Sequence, residues 1–176
     1  MNQQINSAPP STILETQRLW LREFTLDDIE DYYLLNANPE VVRFVGRKPL
    51  TSRDQALQLL QAGPLRDYRE RGMGRLACIA KDSGRLIGFA GVKYVAEIDE
   101  VDIGYRFLPE YWGRGLASES ATAVMAYGRT VLGLQRIVGI VDPANEGSAS
   151  VLRKLGLQYE RTIALSLSEA DLHLYA

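Results

Sequence analysis

Apolar residues change their spacing along this chain, and each change marks an element. Leu19-Trp20-Leu21-Arg22 reads as a short first strand. Thr25-Leu26-Asp27-Asp28 supplies Thr and Asp residues of the kind that cap helix N-termini, so a helix is predicted through about Tyr33 to Leu35. Asn38-Pro39-Glu40 signals a second start, with Asn38 as cap and Pro39 at the first helical position, where its fixed φ is already suitable. Thr51 to Asp54 opens a longer helical stretch in which Ala56, Leu59 and Leu60 recur at helix spacing, until Gly63-Pro64 interrupts it.

From Arg75 the period becomes that of strands. Leu76 to Ala80, a turn at Asp82-Ser83-Gly84, and Leu86 to Tyr94 form a hairpin signal. A further strand runs from Glu100 to Phe107, where Val101, Ile103, Tyr105 and Phe107 alternate with Asp102, Gly104 and Arg106. Ala117, Ala121, Val124, Gly128 and Val131 then predict a helix with one face of small residues that lies close against a sheet, ended by Gly133. Ile137 to Val141 reads as a short strand. Asn145 to Leu155 reads as a helix with Val151, Leu152 and Leu155 inward and Gly156 just past its end. Leu157 to Tyr159 and Ile163 to Leu167 suggest closing strands, with a last pairing at Leu172 to Tyr175. The succession predicts an α/β (α+β, mixed-sheet) layer fold with helices covering the sheet.

A chain of 176 residues with 46% hydrophobic content can bury a sizeable core in one domain, drawn as residues 13–176 behind a flexible tail of residues 1–12. The formal net charge of -2 disfavours nucleic acid and anionic membranes, which attract clustered Lys and Arg. No run approaches the ~20 apolar residues that span a bilayer, and no secretory leader is visible. Cys78 is the only cysteine and His173 the only histidine. Internal disulfides, Cys-based zinc sites and His-dependent nucleophilic catalysis are therefore disfavoured, no metal is expected, and a reducing cytoplasm is the natural compartment. Cys78 fits a small buried hydrophobe and His173 a structural strand position.

Trp112-Gly113-Arg114-Gly115-Leu116-Ala117 carries the chemistry. Two glycines flanking an arginine follow a strand and open a long helix. Gly113 and Gly115 can take positive φ and let a ligand approach the backbone, while the helix adds first-turn donors and the positive end of its dipole. That is a seat for a pyrophosphate-bearing cofactor. A lone Gly-x-Gly is more often a plain tight turn. A dinucleotide fingerprint fails because Ser118 stands where its third glycine belongs, and a P-loop fails for want of a Gly-Lys-Ser/Thr element.

From Glu15 onward the chain resembles the GCN5-related N-acetyltransferase (GNAT) superfamily, in its RimJ/RimL-like branch of ribosomal-protein N-terminal acetyltransferases. The resemblance is carried in order by Glu15-Thr16-Gln17-Arg18-Leu19-Trp20-Leu21-Arg22, Asp27-Asp28, Asn38-Pro39-Glu40-Val41, Asp102-Ile103-Gly104-Tyr105, Trp112 to Glu119, and Asn145-Glu146-Gly147-Ser148 leading to Lys154-Leu155-Gly156-Leu157. It implies a mostly antiparallel central sheet with two splayed strands. The pantetheine arm of acetyl-CoA would enter between them, and its diphosphate would lie on the glycine turn. By position, Phe107 would offer backbone groups to the arm, Gly113, Arg114, Gly115, Leu116 and Ala117 would cradle the phosphates, and Ser118 would add a hydroxyl. Asn145 and Ser148 would reach the arm from the other side. Trp112 replaces the superfamily's usual Gln or Arg.

The resemblance further implies direct acetyl transfer to a primary amine, a protein N-terminal α-amine or a small molecule, with no enzyme nucleophile. Asp102 and Glu100 are the candidate bases, directly or through water; both equally read as solvated charges. They share strand parity, so only bulging or register can separate them. Leu152 stands about where many members place a tyrosine acid, leaving Tyr105, Tyr111, Tyr159 or solvent to protonate the thiolate. Asn145 and Ser148 also suit helix caps, and Trp20 and Trp112 suit packing. Two other readings stay open: a non-catalytic acyl-CoA sensor, and a structural domain that keeps only the fold. Arg43, Arg47 and Lys48 hint at an acidic acceptor, against a solvated basic face. The oligomeric state is open, a homodimer among the options.

Overall fold

The computed structural model describes residues 7–166 and 168–176. Residues 1–6 of the expected tail and Leu167 of an expected strand lie outside them. Strand β1, Thr12–Glu15, was not predicted; it begins at the last residue of the span read as a tail. Four residues are too few to show a period, and its register is set by β2, Leu19–Arg22, with Glu15 opposite Trp20. Helix α1, Ile29–Ala37, follows a 3-10 turn in which the Thr25 amide donates to Asp28 Oδ2 at 2.8 Å. Helix α2, Pro39–Val42, starts on Asn38, whose Oδ1 accepts from the Glu40 amide at 2.9 Å. Helix α3, Arg53–Ala62, is capped by Ser52. Gly63-Pro64 ends α3 but does not end the helical region: Pro64 takes the first position of a further helix, α4, Pro64–Arg71.

Strands β3, Arg75–Ala80, β4, Leu86–Val95, and β5, Glu100–Phe107, complete an antiparallel five-stranded sheet in the order β1-β2-β3-β4-β5. Both of its faces are covered. Leu19, Leu21, Leu76, Cys78, Ile103 and Phe107 pack toward α5, Leu116–Thr130, while Trp20, Ala77, Ile79 and Leu86 pack toward α1 and α3. A bulge opposite Cys78 and Ile79 puts one extra residue into β4, so Ile87 and Phe89, two residues apart, pack on opposite faces and the alternation restarts. Val131 is 67% exposed, because the helix that was expected to bury it has ended at Thr130. Cys78 is fully buried, and burial pushes its thiol up, so it is an inert core residue.

Beyond α5 come β6, Gly139–Val141, α6, Glu146–Lys154, β7, Tyr159–Ile163, and β8, Leu172–Tyr175; the three strands form a separate sheet in the order β6-β8-β7. The single strand β7 replaces the two expected around Leu157 and Ile163. His173 lies in β8, edge to face with Tyr159 at 4.9 Å between ring centroids.

The two sheets meet at one parallel bridge. The Ile103 amide donates to the Val138 carbonyl at 2.7 Å, and the Val138 amide donates to the Val101 carbonyl at 2.9 Å. Past that bridge β5 continues along β4 while β6 turns to β8, and the strands part. No helix of the described residues is long and apolar enough to cross a membrane.

Candidate active site

Where β5 ends, the chain makes the exposed turn that was read as an anion seat. Gly113 and Gly115 have φ of +71° and +77°, values that favour glycine, and a Cβ on Gly113 would meet no atom within 4 Å. The first intrahelical bond of α5 runs from the Glu119 amide to the Gly115 carbonyl at 3.0 Å. The amides of residues 113–118 find no protein acceptor among the described residues, and no side chain caps the helix. Six consecutive donors are therefore left without a protein acceptor at the positive end of a 15-residue helix. Leu116 contributes only its amide, because its side chain is buried in the core. The Arg114 guanidinium lies over the Tyr111 ring at 5.4 Å. Trp112, 49% exposed, donates its indole N–H to the Phe107 carbonyl at 2.7 Å, tying the turn to the end of β5. A ligand contact to that carbonyl must share or displace this bond.

The turn is held from behind by a latch that sequence reading missed. Glu119, in the first turn of α5, accepts from the Thr16 hydroxyl at 2.6 Å, the Arg18 amide at 2.8 Å and Arg18 Nε at 2.7 Å. Arg18 Nη1 also donates to the Arg114 carbonyl at 2.8 Å. The β1–β2 turn thereby fixes the glycine turn through Thr16, Arg18 and Glu119. Burial pushes the Glu119 carboxyl up, but the Thr16 and Arg18 bonds outweigh it and hold it below its ordinary value of 4.5. A depressed folded value means that the latch contributes fully above about pH 4.5 and is lost as pH falls below it. Glu119→Gln is expected to cost about 1–2 kcal/mol at neutral pH, discounted for the half-exposed Arg18, and to flatten the acid limb of the melting curve. Melting temperatures from pH 7 to pH 3 check this; parallel curves for the two proteins would refute it.

At the splay, Asp102-Ile103-Gly104-Tyr105 acts as one device. Asp102 Oδ2 meets Arg75 Nη2 at 2.5 Å, and Oδ1 accepts from the Ile140 amide at 3.0 Å, so both oxygens of this buried carboxylate are engaged. Arg75 starts on β3 and crosses β4 to reach β5. Its guanidinium rests on bare Gly104, where a Cβ would come within 2.5 Å of Cζ. Burial pushes the Asp102 carboxyl up, and Arg75 and the Ile140 amide pull it back. On the opposite face, the Tyr105 hydroxyl donates to the Ser148 carbonyl at 2.8 Å and accepts from Ser148 Oγ at 3.1 Å, spanning the gap from β5 to α6. Burial pushes the phenol up to about 12, so it stays protonated at neutral pH. Asn145 caps α6, its Oδ1 accepting from the Ser148 amide at 3.1 Å.

Glu100 lies elsewhere. It sits seven residues before Phe107, about 23 Å at strand rise, and both its oxygens accept from Arg136 Nε, at 2.9 and 3.1 Å, while Arg136 also pairs with Glu160. Leu152 is 1% exposed and packs onto Gly139 of β6 as part of the main hydrophobic core. On the α1 side of the sheet, Arg106 and Arg47 both donate to Oδ1 of fully buried Asn36, Arg106 at 2.5 Å. Burial, with the neighbouring Arg47 charge, pushes Arg106 down to about 9. No group of three or more His, Cys, Asp or Glu residues able to hold a metal ion occurs among the described residues.

The chain is similar to known proteins in sequence and in fold. Residues 18–158 match the acetyltransferase (GNAT) domain family. The uncharacterized N-acetyltransferase YoaA of Bacillus subtilis is 38% identical over 149 residues, covering 84% of each chain. An acetyltransferase structure from Agrobacterium tumefaciens superimposes with a TM-score of 0.79 at 25% identity, covering 99% of this chain and 98% of that one. A spermidine N-acetyltransferase from Vibrio cholerae, solved with CoA and spermine, shares the fold at a TM-score of 0.72 and 19% identity, over 89% of this chain and 93% of the other.

Proposed function

This chain belongs to the GNAT acetyltransferase family and is an N-acetyltransferase, and we propose that it moves the acetyl group of acetyl-CoA onto a primary amine, a protein N-terminal α-amine or a small molecule, by direct attack on the thioester. The observation that carries the reading is the run of unpartnered amides over residues 113–118 beside a gap between β5 and β6. Buried or ordered backbone donors normally find acceptors, and phosphate oxygens at a helix N-terminus supply them. Bound there, acetyl-CoA supplies an activated acyl group and a thiol leaving group. The open space around Gly113 admits the diphosphate, the Asn145 amide nitrogen is left free by its cap for the arm, and Ser118 offers a hydroxyl from the first turn of α5.

The residues at the gap then divide the work. Tyr105 and Ser148 form a hydroxyl pair whose protons can pass to the departing sulfur, replacing the acid that Leu152 cannot be. Asp102 serves as a brace, since Arg75 and the Ile140 amide already hold both its oxygens. Glu100 braces β5 against Arg136 in the same way. The attacking nitrogen therefore arrives neutral or gives its proton to water, and catalysis rests on positioning.

Two measurements test the reading. Acetyl-CoA should raise the melting temperature, as any ligand bound only by the folded state must, and CoA should be released with some member of an amine panel that includes N-terminal peptides. Stabilisation without release for every amine would assign the fold to sensing; no stabilisation would overturn acetyl-CoA binding itself. Tyr105→Phe should lower kcat by roughly 10- to 100-fold, less than a full general-acid loss because Ser148 remains, while the Kd for acetyl-CoA changes less than about twofold. An unchanged kcat would remove Tyr105 from the chemistry.

A further inference from the structure

Every other arginine of comparable burial in this chain has a carboxylate. Arg22 meets Asp28 at 2.7 Å and Arg75 meets Asp102 at 2.5 Å, with side chains 18% and 15% exposed. Arg47 and Arg106 have none: no carboxylate of the described residues lies within 4.0 Å of either. Both lean on the same neutral oxygen, Oδ1 of Asn36, and Arg47 Nε is buried with no hydrogen-bond partner among the described residues. Asn36 is fixed in this role, because its amide nitrogen donates to the Tyr32 carbonyl at 2.7 Å. Like charges sharing one acceptor repel, and buried charge without a counter-charge is unfavourable. A scaffold needing only to anchor Asn36 would be served by neutral donors.

We propose that Arg47 and Arg106 form a receptor for an anionic group, carboxylate or phosphate, carried by the amine acceptor. This rests on the acetyl-transfer reading and narrows its substrate class. Arg106 lies on β5 between Tyr105 and Phe107, on the sheet face opposite the Tyr105–Ser148 pair and toward α1. Its guanidinium lies over the Phe89 ring at 5.0 Å. Arg47 comes from the segment between α2 and α3, so the receptor is built from the sheet and from the connection that covers it. Two planar forks with most of their N–H groups unused suit a bidentate oxyanion. An anion would relieve both the burial and the repulsion from Arg47 that push Arg106 down. A polyamine such as the spermine held by the Vibrio cholerae protein would meet cationic repulsion here.

The test uses acetyl-CoA-saturated enzyme and amines that differ only in charge: glutamate against glutamine, β-alanine against its amide, and an amidated peptide beginning with Asp against one beginning with Asn. Phosphoethanolamine separates phosphate from carboxylate, and spermidine is the cationic extreme. In at least one matched set, kcat/KM should favour the anion by about 10-fold or more, and Arg47→Gln or Arg106→Gln should cut that ratio to within about threefold. Stabilisation by acetyl-CoA should persist in both variants, which separates loss of the receptor from loss of the cofactor site. Independently of turnover, millimolar glutarate or inorganic phosphate, added with saturating CoA so that the glycine turn is filled, should raise the melting temperature of the wild type and not of the double variant. A wild type that prefers spermidine or the neutral partners, or a preference that survives both substitutions, would overturn the proposal. If the variants fail to fold, the wild-type ratios and the anion-induced shift decide.

Discussion

Gly115→Val is expected to raise the Kd for acetyl-CoA by about 100-fold while the protein still folds. At φ +77° a β-branched residue is strained by about 1–3 kcal/mol, and the turn relieves that strain by changing its backbone angles. A Cβ at this position meets only Arg18 Nη2, at 3.6 Å, so packing does not oppose the substitution and the core is untouched. The cost falls on the amides of residues 113–118. Losing the aim of one or two charge-assisted bonds is worth about 1.5–3 kcal/mol each, which is the source of the expected factor. Calorimetric titration measures the affinity, and thermal melting without ligand measures the fold. Equal affinity in the variant and the wild type would mean that these amides do not hold the cofactor.

Asp102→Ala should instead strike stability, by about 3–5 kcal/mol, the usual cost of removing one partner from a buried ion pair. Arg75 would be left charged beneath β4 with no counter-charge, and the Ile140 amide would lose its acceptor at the bridge between the sheets. For a chain of this size that corresponds to a fall in melting temperature of roughly 10 °C or more. Asp102→Asn keeps an oxygen for Ile140 and should fall between the two. A catalytic base behaves in the opposite way: the Asn variant would keep its melting temperature and lose kcat. Melting and turnover measured on the same samples separate a brace from a base, and a stable but inactive Asp102→Asn protein would return Asp102 to the chemistry.

Local signals survived the passage from sequence to structure. The caps at Asn38 and Asn145, the helix start within Thr51 to Asp54, the alternation of β5 and the positive φ at Gly113 and Gly115 depend on neighbours a few residues away, and each stands where the spacing placed it. What the sequence concealed is pairing across distance. Arg75 and Asp102 are 27 positions apart, and Arg18 and Glu119 are 101 apart. Asp102 and Arg106 occupy the polar positions of an alternating strand, a pattern that ordinarily marks a wet face. Here Arg75 reaches across to Asp102, and α1 with the segment after α2 meets Arg106, so the same residues became a buried brace and half of a cationic pair. Strand β1 is too short to announce itself, and Val131 continued a helical period that the chain had already left.

The single parallel bridge at Asp102 and Val138 has an effect on how the protein must be handled. Beyond Ile103, β5 has no strand on its outer side among the described residues, which leaves a bare β-edge at the gap. Bare edges template the addition of other extended chains. An amide-containing arm lying in the gap would occupy that edge as a borrowed strand, and the protein without it would be the more prone to self-association and to clipping near Leu108. Purification and storage with CoA should therefore extend its shelf life.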